Sequence, residues 1–288
     1  MHEIPKLSVV VPVYRHWTVL PDLLAALKAQ TLHHTEFEVI IVANEPVPDS
    51  FDRGCFARNM QIELCLQIGS YAARNRGIAV SRAAHVVFTD ADCMPDPQWL
   101  EVMLGAVHSA PNQLWAGAVK MTRARKQTLW SCYDELRGIP QERYVARGYA
   151  ACANLCVPRT ALAACGGFDA TRLSGGDAAL CRKAATLGYA ISFAPSAVVA
   201  HHAGVTAQRV TRKARRIRGG QVLCGTKIRR MAWMLRGFAP PMRETYRFWA
   251  ARVPYAQRVR AILVLYLLWL VTLVETLRLM MGATPERQ

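Results

Sequence analysis

Acidic residues are scarce in this chain of 288 residues: 20 Asp and Glu stand against 36 Lys and Arg, for a net charge of +16. Charge of either sign is sparse, at 19%, while 52% of the residues are hydrophobic. That balance excludes general disorder and points to a strongly buried or membrane-facing part. Nine cysteines are scattered from Cys55 to Cys224 with no C-x-x-C among them. This argues against a disulfide framework or a zinc site and fits reduced thiols in a cytosolic compartment. The start, Met1-His2-Glu3-Ile4-Pro5-Lys6, has an early Glu, and a Pro lies within the apolar run after it, so it does not read as a signal peptide. No repeat period is visible. The basic excess favours anionic partners such as phosphates or an acidic lipid surface. No nucleic-acid recognition motif accompanies it, so nucleic acid is not expected as a partner.

What is present is an alternation of buried runs and amphipathic segments. Leu7 to Val13 is a continuous β-branched stretch, the signature of a strand covered on both faces. An amphipathic helix is expected from Pro21 to Gln30, with Leu20, Leu23, Leu24 and Leu27 on one side. A second strand follows from Phe37 to Val42, and at most a short one from Ile62 to Gln67. Tyr71 to Ala83 reads as helix, His85 to Thr89 as strand, Pro97 to Ser109 as a helix with Asp96 as its N-cap, and Leu114 to Met121 as strand. This order predicts an α/β domain with a mostly parallel sheet. Thr122 to Tyr149 reads as polar and irregular. Pro158 to Cys165 and Asp177 to Leu187 read as helices, and Tyr189 to Phe193 and Ala197 to Ala200 as the last strand-like pieces.

After His201-His202 the character changes. Val205 to Arg236 reads as a very basic helical stretch, Gly237 to Pro241 as a break, and Met242 to Met281 as one or two helices. A domain boundary near Gly204 gives two domains, 1–203 and 204–288. Ala261 to Leu277 is an apolar run of 17 residues, 14 of them before Glu275. A spanning helix wants about 20 apolar residues. Three readings stay open for it: a span, a helix lying on the membrane, or one packed on the protein or a second subunit.

Chemistry concentrates at Asp90-Ala91-Asp92, where a hydrophobic strand breaks into a loop. Two carboxylates one residue apart can share a hard divalent cation, and such a cation can grip a diphosphate. Asp177 opens a helix just after Gly175-Gly176. The helix dipole keeps a carboxylate there ionised, as a general base requires, and N-capping is an alternative that can hold together with it.

Six ordered blocks surround these residues: Val10 to Tyr14; Gly69 to Ile78; Phe88 to Cys93 with Pro95-Asp96-Pro97 and Trp99-Leu100; Ala153-Asn154-Leu155 with Gly166 to Asp169; Ser174 to Asp177 with Leu180 to Arg182; and Ala194-Pro195 through His201. Together they resemble family 2 glycosyltransferases of the GT-A fold, over about the first 200 residues. The resemblance implies a nucleotide-diphosphosugar transferase domain with a basic, partly hydrophobic helical C-terminal extension. It implies Mg²⁺ or Mn²⁺ on Asp92, with Asp90 taking ribose or a metal-bound water, and His201 reaching the metal. It gives Asp177 the general-base role of an inverting transfer. It sets Pro12, Tyr14, Arg74 and Asn75 beside the nucleotide. Three positions depart from the family pattern. Arg15 stands where Asn is common, and Gly176 where Glu precedes the catalytic Asp. Ala43 replaces an Asp that reads the pyrimidine edge, which leaves Asn44 as the substitute and the donor base open. Trp130, Tyr133 and Tyr144 fall in acceptor-side loops, where sugar stacking and plain packing both remain open. The expected activity is transfer from a nucleotide sugar to a glycan or lipid-linked acceptor, on the cytoplasmic face of a membrane, in the making of cell-surface polysaccharide or glycolipid. A catalytically silent binding module and a basic membrane-surface adaptor are the alternatives. The sequence leaves the oligomeric state open.

Overall fold

The computed structural model describes residues 4–124 and 126–286, so Met1 to Glu3 of the leader reading lie outside the described residues. In chain order the elements are β1 (Leu7–Val13), α1 (Leu20–Lys28), β2 (Phe37–Ala43), β3 (Met60–Leu64), α2 (Ser70–Val80), β4 (His85–Thr89), β5 (Cys93–Pro95), α3 (Trp99–Ser109) and β6 (Leu114–Thr122). They continue with α4 (Leu129–Arg137), α5 (Gln141–Val145), β7 (Asn154–Pro158), α6 (Arg159–Cys165), α7 (Gly176–Thr186) and β8 (Ile191–His202). Four helices end the chain: α8 (Ala207–Leu223), α9 (Lys227–Phe238), α10 (Met242–Trp249) and α11 (Tyr255–Met280). Two compact units emerge. One comprises Met1–Lys120, Ile139–Ala170 and Gly176–His201; the other comprises Met121–Gly138, Thr171–Gly175 and His202–Gln288.

The sheet of the α/β fold runs β3-β2-β1-β4-β7-β6-β8-β5. From β3 to β4 all pairs are parallel. Beyond β4 the pairs β4–β7, β6–β7 and β5–β8 are antiparallel. The sheet is therefore mixed rather than mostly parallel. The tight turn at Asp90-Ala91-Asp92 leads directly into the short β5, which pairs with β8.

Alternation along β1 sorts the first unit's core into two layers. Val9, Val11 and Val13 pack with Leu20, Leu23, Leu24 and Leu27 of α1 and with Trp99, Leu100 and Met103 of α3. Val10 faces the other way, with Ile40, Val42 and Phe88, onto Tyr71 and Ala73 of α2, Leu162 of α6 and Leu180 of α7. Both faces are covered, which is why β1 and β2 carry unbroken apolar runs. On that second face α2 lies so close to the sheet that a Cβ on Gly77 would sit 2.4 Å from Val10 Cγ1.

Two readings are corrected. Asp96 does not cap α3: the helix begins after Gln98, and Asp96 accepts from the Trp99 amide through its backbone carbonyl instead. Residues 122–149 are not irregular, because Thr128 and Ser131 form a capping box that starts α4. That helix is fixed by burying Cys132 and Tyr133 against Ala261, Val264, Leu265 and Leu268 of α11. The basic stretch is resolved into two helices, α8 and α9, with a break at Gly225, whose φ of +92° leaves the helical region. Thr206 and Thr226 each cap the helix that follows, accepting from the amides of Arg209 and Arg229.

Charge is divided unevenly. Residues 202–288 carry 17 Lys and Arg against 3 acidic residues, whereas residues 1–201 carry 19 against 17. In the second unit, Arg218 is buried and donates to Thr276 Oγ1 at 2.6 Å, and Glu275 is buried with Arg278 at 3.1 Å.

Gly77→Ala tests the close approach of α2 to β1. The added methyl overpacks the sheet and is expected to cost about 1–3 kcal/mol of stability. Urea unfolding would check it, and a stability unchanged from the parent would show that α2 yields without cost.

Candidate functional site

The turn after β4 and the end of β8 bring three side chains together. Asp92 directly precedes β5, and the β5–β8 pairing sets Cys93 opposite His201. The ligand atoms of Asp92, Cys93 and His201 all lie within 4.8 Å of one another, and His201 Nε2 is 3.5 Å from Asp92 Oδ1. All three residues are buried. A carboxylate oxygen and an imidazole nitrogen suit Mn²⁺, and the carboxylate suits Mg²⁺. Cys93 is the poor member: burial first, then Asp90 and Asp92, hold its thiol well above the usual range, and its sulfur points to the Ala153 carbonyl at 3.9 Å. The donor set thus fits a hard divalent ion, which Asp92 and His201 would hold.

Asp90 turns to a different partner. Arg74 Nη2 donates to its Oδ1 at 2.7 Å. Arg74 is only 5% exposed, and burial would lower its pKa, but Cys152, Asp90, Tyr71 and Asp177 around it raise it. Its guanidinium lies 5.7 Å from the centre of the Tyr71 ring. The Tyr71 hydroxyl donates to Asp177 Oδ1 at 3.2 Å and accepts from the Gly176 amide at 2.8 Å. The Cys152 amide donates to Asp177 Oδ2 at 3.4 Å. Burial, then the charge of Asp177, push the Tyr71 phenol well above its usual value, so it remains a donor. Asp90, Arg74, Tyr71 and Asp177 therefore form one continuous string, with Asp177 in the first turn of α7.

Tyr71 and Cys152 were not singled out from the sequence. The available signal was spacing: Tyr71 and Arg74 are three apart on α2 and so share a face. Tyr71 also accounts for the glycine where the resemblance leads one to expect Glu. A Cβ on Gly176 would sit 2.6 Å from the Tyr71 ring, so the ring occupies the room a larger side chain needs.

Two asparagines are engaged by backbone. Asn44 donates to the carbonyls of Cys65 and Gln67, each at 2.7 Å, and accepts from the Gly69 amide at 2.9 Å, fixing the loop that opens α2. Asn75 grips both backbone groups of Phe168 at 2.8 Å, closing the Gly166-Gly167 turn onto α2. Pro12 is half-buried in β1, in register with Val42 of β2. Tyr14 is half-buried, with the Arg15 guanidinium 4.9 Å over its ring. Arg15 has a φ of +55°, a conformation that Asn adopts more readily than Arg. Ala43 is fully buried in β2. Of the aromatic trio, Tyr133 belongs to the second unit's core beside Phe248, and Trp130 packs against that cluster. Tyr144 stacks on Tyr149 at 4.9 Å.

Comparison with known proteins gives the family and the fold. Residues 8–154 match the family model described as Glycosyl transferase family 2. Glycosyltransferase AglE of Haloferax volcanii is 30% identical over 251 residues, covering 82% of each chain. A pre-mycofactocin glycosyltransferase of Mycobacterium tuberculosis is 32% identical over 140 residues, 46% of this chain and 30% of that protein. The crystal structure of S. aureus TarS 1–349 superposes with a TM-score of 0.55 at 16% identity, over 95% of this chain and 71% of that one, a likeness of fold.

The contact between Gly176 and Tyr71 makes a coupled prediction. Gly176→Ala alone is expected to cost about 1–3 kcal/mol by overpacking. In a Tyr71→Ala background the same change should cost less than about 0.5 kcal/mol, because the ring that resists it is gone. Denaturant melts of the four proteins would check it; equal costs in both backgrounds would remove Tyr71 as the reason for this glycine.

Proposed function

Because the chain belongs to glycosyl transferase family 2 and is a glycosyltransferase by that kinship, we propose that it is metal-dependent and inverting. In this reading it transfers a sugar from a nucleoside-diphosphate donor to a hydroxyl of a glycan or lipid-linked acceptor. The observation that carries the proposal is the string from Asp90 through the buried Arg74 and Tyr71 to Asp177. It ties the carboxylate at the end of β4 to the carboxylate that opens α7.

Asp92 and His201 would hold Mg²⁺ or Mn²⁺. When bound, such an ion supplies charge neutralisation on the departing diphosphate. Asp90, oriented by Arg74, takes the donor's ribose or an ion-bound water. Pro12 and Tyr14, at the end of β1, are assigned to the nucleotide's edge. Asn44 and Asn75 serve the same subsite indirectly, by holding the loop before α2 and the turn before α7 in place. The donor base is left open by Ala43 and by the backbone bonds that occupy Asn44.

Asp177 takes the proton from the acceptor hydroxyl. Tyr71 and the Cys152 amide each engage one of its oxygens, which fixes the carboxylate's plane. Attack directed by this base, from the side opposite the leaving group, inverts the anomeric centre. The nine free cysteines support a reducing compartment, and the reaction is assigned to the cytoplasmic face of a membrane.

Two measurements test the reading. Asp177→Asn should lower kcat by about 10²–10⁴-fold while the donor's thermal shift persists. A panel of nucleotide sugars with and without Mn²⁺ should show a metal-dependent rise in Tm for the true donor, lost in Asp92→Ala. Full turnover in Asp177→Asn removes Asp177 as the base. Donor binding without turnover in the parent would favour a silent binding module.

A further inference from the structure

The second unit exposes apolar side chains in stripes. On α9, Ile228, Met231 and Leu235 recur at intervals of three and four and are open to solvent, Ile228 at 81%. On α10, Met242, Tyr246 and Trp249 do the same, with Tyr246 at 76%. Such spacing puts each set on a single helix face. On α11 an exposed stripe runs from Leu263 to Leu277, a rise of about 21 Å. Soluble monomers rarely leave so much apolar surface uncovered.

The opposite side of α11 is already committed. Ala261, Val264, Leu265 and Leu268 are buried with Cys132 and Tyr133 of α4 and Val210 of α8. A helix with protein along one side and an uncovered stripe along the other does not need to cross a bilayer, although α11 is long and apolar enough by composition. Basic residues accompany the stripes: Lys227, Arg229, Arg230 and Arg236 on α9, and Arg243 and Arg247 on α10. Apolar faces rich in Trp, Tyr, Met and Leu, set among arginines, match the boundary between acyl chains and anionic headgroups.

We propose that α9, α10 and the uncovered side of α11 form a monotopic docking surface that seats in the headgroup–acyl boundary of an anionic bilayer. The inference rests on the membrane placement given above and supplies its means; it does not depend on the donor or on the catalytic base. The arginines draw the unit to the surface, and the apolar stripes hold it there after the charges are screened.

Vesicle flotation of the full chain tests this. The protein should float with phosphatidylglycerol–phosphatidylcholine vesicles and at least about tenfold less with phosphatidylcholine alone. Ile228→Glu with Leu235→Glu should reduce flotation by more than about tenfold, because two charges replace the insertion face of α9. Leu187→Glu, at an exposed leucine following α7 in the first unit, should leave it unchanged. Circular dichroism melts verify that the double variant is folded. Absence of flotation, or flotation unaffected by the double variant, overturns the proposal. So does a parent dimer that ignores vesicles and that the double variant turns into monomer, since the face then belongs to a second copy. A donor-dependent thermal shift equal in parent and double variant separates failed docking from failure of the glycosyltransfer reading.

Discussion

Arg74 is nearly sealed from water, and a guanidinium so placed has to be met by negative charge and hydrogen-bond acceptors at fixed distance. That requirement organises the site. Asp90 supplies the carboxylate, Tyr71 the aromatic face, and Asp177 a second negative charge one residue further along. Removing Asp90 would leave the buried guanidinium without the carboxylate it donates to. The same contacts that keep α2 closed against the sheet therefore keep two carboxylates, 87 positions apart in the chain, in one arrangement. Arg74 Nε is buried without a hydrogen-bond partner among the described residues, which leaves one donor of this fork unused inside the site.

The β5–β8 pairing does the equivalent work for Asp92 and His201. A three-residue strand has little stability of its own, and its value is geometric: three ladder positions suffice to set residue 93 opposite residue 201. Asn154 stiffens the region from beneath, accepting from the Trp99 indole and donating to the carbonyls of Ala118 and Ala197 at 2.9 Å. Gly117 lies against the same side chain, with no room for a Cβ. Site residues are thus carried by short elements, and a buried polar network gives those elements one position.

How far the sequence disclosed this depends on the kind of signal. β1, β2 and β4 were legible because a strand covered on both faces has to be apolar without interruption. β5 was not, since Cys93-Met94-Pro95 is too short to show a period, and β7 was hidden because its first residue, Asn154, is a buried polar group whose use depends on partners far along the chain. The helix over 129–137 was missed for a related reason: its polar residues mask a stripe, centred on Cys132 and Tyr133, that only α11 reveals. In the site, Asp90, Asp92, Asp177 and His201 stood out through ordered motifs, and the structure brings Asp92 to His201 and links Asp90 to Asp177. Tyr71 did not stand out, because tyrosines in helices are mostly packing residues and only its contacts distinguish it. Asn44 and Asn75 are expected beside the nucleotide, and in the structure their amides bond backbone loops. An amide serves either purpose equally well, and sequence carries no sign of which backbone groups need satisfying.

The uneven division of charge separates two kinds of electrostatics within one chain. Residues 1–201 are close to balanced, so the anionic ligand proposed for the first unit would be held by groups at contact distance, such as an ion that Asp92 and His201 would hold. Such interactions sit in low dielectric and are little affected by salt. Residues 202–288 carry nearly all of the excess positive charge; among the described residues, and apart from the buried Arg218, these charges lie on exposed or half-exposed side chains that act through water and are screened within about 10 Å at moderate ionic strength. Charge of that kind brings a surface close without selecting a ligand. Selection in the second unit falls instead to the apolar stripes, which gain only when something removes them from water. A contact that uses both is expected to weaken with salt yet persist, whereas binding in the first unit should change little over the same range.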